Sequence, residues 1–309
     1  MTQVIAIIQC ALPVFLALAL GMLCRQKQFL DRSGIDALKK VVLNITLPAV
    51  LINAFATADY SASAMLMPGI MYLLCCLALL LGFAVIRLSG SKSKLAPYLA
   101  SGFEAGMLGY TLFVLLFPER SVSEFALLDL GQTLFVFTLY KFLLSGKNSL
   151  KAILRDIVTS PILWAVLAGV LLGATGLYRQ LQVWGFAGIL DAATSFISAP
   201  TGMIILITVG YDLVLREISW KRTAGFIAMR LGIMAILLAI LILLNRTVLH
   251  GMIFEGAALL MLILPPPYVI PVFADEPSER VQISSSLSAL TLISMLLFAV
   301  LSVLTGVQG

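Results

Sequence analysis

The sequence predicts an all-α polytopic membrane protein. Ten transmembrane helices form two inverted five-helix repeats, and spans four and nine are broken. Three observations carry this. Of 309 residues, 61% are hydrophobic and only 11% charged, with a mean hydropathy of +1.07; soluble domains carry about 25% charged residues. Basic residues crowd into alternate connections, and the second half of the chain echoes the first.

A helix needs about 20 apolar residues to cross the hydrocarbon core. Span one, 4–23, has no basic n-region and ends in Gly21-Met22-Leu23-Cys24, a poor leader cleavage site, so it reads as a helix and not a signal peptide. Span two, 41–57, carries Pro48 at its centre, and span three, 65–87, is uninterrupted. Span four, 96–117, contains Gly102, Gly106 and Gly109, and span five, 122–144, holds Asp129 and Gln132. Span six, 159–176, opens with Ser160-Pro161; span seven, 187–209, carries Pro200; span eight, 223–244, holds Arg230. Span nine, 252–273, is cut by Pro265-Pro266-Pro267, and span ten, 282–305, is continuous. Glycines weaken one helix and prolines remove donors from the other. Freed backbone groups cannot face lipid, so protein or a watered cavity must satisfy them. Broken segments at corresponding places in two halves point to a transporter's substrate site.

Successive connections on one face hold five, three, four, three and one Lys or Arg; those on the other face hold none or one each. The positive-inside rule then puts both termini on the non-cytoplasmic side of the cytoplasmic membrane. The net charge of +5 belongs to these loops and does not indicate nucleic-acid binding. Cys10, Cys24, Cys75 and Cys76 match no zinc spacing and read as packing residues.

The repeats are predicted at 1–145 and 159–309, joined by a cytoplasmic linker at 146–158. Pro13, Ala17 and Gly21 of span one coincide with Pro161, Ala165 and Gly169 of span six; Ile45-Thr46-Leu47-Pro48 is matched by Ile197-Ser198-Ala199-Pro200; the fourth span of each half is the broken one. An odd number of spans per half inverts the second half in the membrane.

Leu43-Asn44-Ile45-Thr46-Leu47-Pro48, the Gly106-Met107-Leu108-Gly109-Tyr110 break, Ser160-Pro161 and the proline-rich span nine together resemble the auxin efflux carrier family, the plant PIN carriers and their bacterial permease relatives. The resemblance covers essentially the whole chain. It implies that helices four and nine cross near the midplane, that spans 1, 2, 6 and 7 form a scaffold, and that spans 3–5 and 8–10 form a transport domain that slides or rocks against it. It also implies organic anions as substrates and a homodimer. One departure stands out: Glu104 occupies a position where the family usually has Asn.

Glu104 lies about eight residues into span four, roughly 12 Å deep. An ionisable group there is a functional hypothesis by default, as a proton-coupling group, with capping of broken backbone as the structural alternative. Asp129 and Gln132, three apart on one helix face, are candidates to coordinate H⁺ or Na⁺ or to glue helices. Arg230 is a candidate counter-charge to Glu104 or Asp129 or a ligand for a substrate carboxylate, against snorkelling to the interface. The remaining substrate-binding candidates are Asn44, Thr46, Gly106, Gly109, Tyr110, Pro266, Pro267 and Tyr268. His250 reads as a surface residue, and Asp212 as a helix-end partner of Arg216.

No Walker A, HExxH, GxSxG or dinucleotide fingerprint occurs. The expectation is therefore not an enzyme, but a secondary transporter of a small organic anion working by elevator-type alternating access. It needs no cofactor beyond a coupling H⁺ or Na⁺. The rivals are a cation or Na⁺/H⁺-coupled carrier on the same fold, and a membrane ligand sensor that moves nothing.

Overall fold

The computed structural model describes residues 2–61, 64–145, 158–213, 220–273 and 276–306. Among these every regular element is helical and there is no strand. Most of the linker (146–157, with Lys147, Lys151 and Arg155), Arg216 and Asp275 lie outside the described residues.

In chain order, α1 is Thr2–Gln26 and α2 is Arg32–Val41; a π-helical turn, Val42–Thr46, leads into α3, Leu47–Ala56. Next come α4, Leu66–Leu88, a 3₁₀ turn at Ala96–Ala100, a π turn at Ala105–Gly109, and α5, Tyr110–Leu116. Helix α6, Val122–Phe135, continues through a third π turn, Val136–Tyr140, into α7, Lys141–Ser145. The second half supplies α8 (Pro161–Ala174), α9 (Leu177–Val183), α10 (Ala187–Ser198), α11 (Thr201–Asp212), α12 (Trp220–Thr247), α13 (Glu255–Ile263) and α14 (Pro277–Gly306).

Among the described residues, five stretches are long and apolar enough to cross a membrane: Leu66–Leu88, Val122–Leu144, Ala187–Asp212, Thr223–Thr247 and Ser278–Leu304. The pair α8–α9, bent by 64°, makes a sixth if counted as one span. The described residues thus give five or six such spans instead of the ten expected with four and nine broken, and the breaks have local causes. Span one lies within α1, Thr2–Gln26, a single 25-residue helix. Span two begins in a π turn, Val42–Thr46, that links α2 to α3 just before Pro48. Span four breaks into a 3₁₀ turn, extended backbone, a π turn and a seven-residue helix. Span nine keeps only nine helical residues before the prolines. Along α4, Leu73 and Leu80 are two-thirds exposed, a face suited to lipid and unsuited to water.

The chain divides into two compact units, each drawing on both halves of the sequence. The first comprises Met1–Met65, Gly106–Leu127 and Leu154–Leu213; the second comprises Leu66–Ala105, Leu128–Ile153 and Val214–Gly309.

In the first unit α1 packs along α11 and α3 along α8. Glycines make both contacts possible. A Cβ on Gly21 would collide with the Ile207 carbonyl and stand 2.7 Å from the Tyr211 nitrogen; one on Gly169 would lie 2.7 Å from Phe55 Cβ and 2.9 Å from the Ile52 oxygen. Small residues let helix backbones approach where no hydrophobic drive separates lipid from protein. Asp31 caps α2 by accepting from the Gly34 N–H at 2.7 Å. That bond first, and the Ser33 hydroxyl second, hold its carboxyl below the usual range. Asp212 accepts from Arg32 at 2.6 Å and from Lys39. It is thus tied to α2, and the expected partner Arg216 lies outside the described residues. Asp191 of α10 accepts from Asn53 at 3.0 Å and from the Tyr178 hydroxyl at 2.9 Å.

In the second unit the long α12 packs against α4, α13, α14 and the 3₁₀ turn. A Cβ on Gly82 would lie 2.6 Å from the Pro97 carbonyl, so α4 and the 3₁₀ turn touch through backbone. The Glu279 carboxylate, at the start of α14, accepts from the Ser93 hydroxyl at 2.7 Å and the Leu95 N–H at 3.0 Å. At the far end of α12, Asn245 both donates to and accepts from Ile253 at 2.9 Å, closing the turn into α13.

Candidate functional site

The two breaks of the second unit interlock. Ser101 leaves the 3₁₀ turn in extended conformation, and Gly102 takes φ +71°. That left-handed backbone favours glycine, and a Cβ there would also lie 2.8 Å from Pro267 Cγ. On the other strand of the crossing, Leu264 is extended at φ −61°, ψ 150°, because the proline that follows disfavours helix at the preceding residue. The Glu104 N–H donates to the Pro265 carbonyl at 2.9 Å, and the Tyr268 N–H donates to Glu104 Oε2 at 2.8 Å. Glu104 thus grips the second break at both ends of the proline triplet. Pro265, Pro266 and Pro267 are all buried, and the Tyr268 hydroxyl meets the Thr291 hydroxyl of α14 at 3.2 Å.

Breaking two helices frees carbonyls that cannot be left in a low-dielectric interior. Arg230, 2% exposed, meets three of them. Its Nη1 donates to the Leu99 carbonyl at 2.9 Å, and its Nη2 donates to Gly102 at 3.0 Å and Leu264 at 2.8 Å. Its guanidinium carbon stands 5.3 Å from the centre of the Phe103 ring. A planar fork with five donors can reach carbonyls on both breaks at once. Snorkelling is excluded by this burial; the side chain turns inward and staples the crossing to α12.

Asp129 and Gln132 are each 5% exposed. Gln132 Nε2 donates to Asp129 Oδ1 at 3.1 Å and to the Phe103 carbonyl at 3.2 Å, and the Thr133 hydroxyl donates to Asp129 Oδ1 at 3.3 Å. The pair therefore touches the same broken segment that carries Glu104.

Asn44, Thr46, Gly106, Gly109 and Tyr110 belong to the first unit. Asn44 is exposed and donates to the Lys40 carbonyl at 2.7 Å. Thr46 is 4% exposed, and its hydroxyl finds no hydrogen-bond partner among the described residues. Gly106 lies against Leu47: a Cβ on it would stand 3.3 Å from Leu47 Cδ2. Gly109 is buried, and the buried Tyr110 ring meets Phe125 edge-on with centroids 5.1 Å apart. Four of the five lie in π turns, which are enriched at functional sites.

Reasoning from sequence missed Thr133, Thr291 and the carbonyls of Leu99, Gly102, Phe103 and Leu264. Thr291 had a visible signal: Ser285, Ser286, Thr291 and Ser294 form a run of buried hydroxyls on span ten. The carbonyls had none, since any residue has one. Among the described residues no group of three or more His, Cys, Asp or Glu could hold a metal ion.

No protein-family model matches the chain. The chain is 26% identical over 212 residues to an uncharacterized transporter of Methanothermobacter thermautotrophicus. The match covers 65% of this chain and 66% of that protein, so the chain spans just under two thirds of its relative's length.

Proposed function

We propose that this protein is a secondary transporter of a small organic anion across the cytoplasmic membrane, coupled to protons through Glu104. Ten crossings, several made by broken helices, form two inverted repeats, with both termini outside the cytoplasm and transport by elevator-type alternating access. A homodimer is the assembly that goes with this reading. The observation that carries it is the pair of interlocked breaks, with Glu104 bonded to the backbone on both sides of the second one. Such breaks place backbone polar groups and an ionisable side chain where a bilayer-embedded carrier needs them. The similarity to a transporter supports the same class.

Reciprocal packing in the first unit supports the inverted repeat. Span one pairs with span seven through α1 and α11, and span two pairs with span six through α3 and α8. Pairing of this kind is what a pseudo-two-fold relation between the halves calls for.

The test is uptake of labelled dicarboxylates, malonate and indole acids into proteoliposomes at pH 5.5 and 8. Uptake that is faster with inward-directed protons, and that loses its pH dependence in Glu104→Gln, is the expected result. Uptake and pH response unchanged in Glu104→Gln would remove the proton-coupling role.

A further inference from the structure

The Gln132 amide leaves one atom unexplained. Its nitrogen is used twice, toward the Phe103 carbonyl and Asp129 Oδ1. Its oxygen is buried and has no hydrogen-bond partner, on a side chain that is itself 5% exposed. Turning the amide over does not cure this. The oxygen would then face two acceptors, and the amino group would be stranded in its place. Native structures keep few such buried atoms, and each calls for an explanation, often an ion or a water.

The neighbours select the ligand. Around Gln132 stand the Asp129 carboxylate, the Thr133 hydroxyl and the Phe103 main-chain oxygen. These are hard oxygen donors carrying one formal negative charge. One pair of these oxygens, Thr133 Oγ1 and Asp129 Oδ1, stands 3.3 Å apart, close to the ~3.4 Å edge of an octahedron whose oxygens sit about 2.4 Å from a cation. A divalent ion favours more carboxylates than one. Arg230 is already engaged with the carbonyls of Leu99, Gly102 and Leu264. We infer that Asp129, Gln132, Thr133 and the Phe103 carbonyl form a binding site for a dehydrated monovalent cation of the size of Na⁺.

A cation there gives the Gln132 oxygen a partner and places a positive charge beside Asp129. Because Phe103 precedes Glu104 in the chain, occupancy bears directly on the broken backbone. The inference deepens the transporter reading by supplying a second coupling ion, and the binding itself is independent of that reading.

The test is equilibrium binding of ²²Na⁺ to the purified full-length protein in lipid nanodiscs, in choline chloride and without organic substrate. Saturable binding is expected, displaced by unlabelled Na⁺ and more weakly by K⁺. Gln132→Leu and Asp129→Asn should each lower the affinity at least about tenfold, as loss of ligand-shell groups does elsewhere. Gln132→Glu keeps an oxygen in place and should retain binding, which separates loss of a ligand from loss of fold. No saturable binding to the wild type overturns the proposal and leaves a water as the partner of the Gln132 oxygen. Binding unaltered by Gln132→Leu and Asp129→Asn also overturns it, because Na⁺ then binds elsewhere. Binding without uptake leaves the site standing and removes the transporter reading; uptake without binding does the reverse.

Discussion

Arg230 is buried in apolar surroundings with backbone carbonyls as hydrogen-bond partners. Replacing it by Lys keeps the charge but loses the fork, so one compact ammonium must serve carbonyls from two breaks. Each buried acceptor left without a donor costs about 1–3 kcal/mol. Arg230→Lys should therefore destabilise the protein by roughly 1–3 kcal/mol, and Arg230→Leu by more, measured as a fall in thermal unfolding midpoint in detergent. An unchanged midpoint for Arg230→Leu would show that the clamp carries no stability. At Gly102, alanine meets both the left-handed backbone and Pro267. The conformational part alone costs about 1–2 kcal/mol, and the same assay should show a loss of at least that size. Glu104→Gln keeps an oxygen that can accept from the Tyr268 N–H. It should fold, and its uptake should fall at least about tenfold, the equivalent of roughly 1.4 kcal/mol.

At the scale of elements, the close helix pairs depend on missing side chains. Gly21 and Gly210 face each other's helices across the α1–α11 contact, and a Cβ on Gly210 would collide with the Leu18 carbonyl. Gly210→Leu should separate these helices and destabilise the first unit by more than the ~1–3 kcal/mol typical of overpacking, visible as faster proteolysis and a lower unfolding midpoint. Helix α2 depends on its cap. The Asp31 carboxyl is held below its ordinary range by the Gly34 N–H and the Ser33 hydroxyl. A depressed folded-state pKa contributes stability that is present above the unfolded-state value and is lost as pH falls through the folded one. The protection of α2 amides relative to their intrinsic exchange rate should therefore fall on acidification in the wild type. In Asp31→Ala that protection should be low already at neutral pH, with no comparable acid step.

For the whole molecule, the decisive quantities are topology and traffic. The alternation of Lys and Arg across the connections predicts both termini outside. Cysteines introduced at residues 3 and 308 of a cysteine-free variant should react with impermeant maleimide in intact cells. Labelling only after permeabilisation would reverse the assignment. The echo between halves was legible because Pro13 and Pro161, Pro48 and Pro200, and the two broken spans recur in order. The count of continuous helices was not. Hydropathy measures whether a stretch prefers lipid, and it is blind to where a glycine or a proline divides that stretch into pieces. The 252–273 stretch is apolar but for Glu255, yet only nine of its residues are in α13.

The sequence by itself determined that the chain is helical, apolar enough for a membrane, and broken at Gly102–Gly109 and Pro265–Pro267, because composition and the backbone preferences of Gly and Pro are local properties. It also singled out Glu104, Asp129 and Gln132, because polar groups in apolar stretches are visible without coordinates. Only the tertiary structure decided what they do to one another. It joined Glu104 to Pro265 and Tyr268, 161 and 164 residues away in sequence. It set Arg230, by sequence either a candidate counter-charge or a snorkelling side chain, against carbonyls of both breaks, and it set Gln132 against the Phe103 carbonyl. The physical reason is common to all three: the partners are main-chain atoms, which every residue carries and no sequence pattern marks.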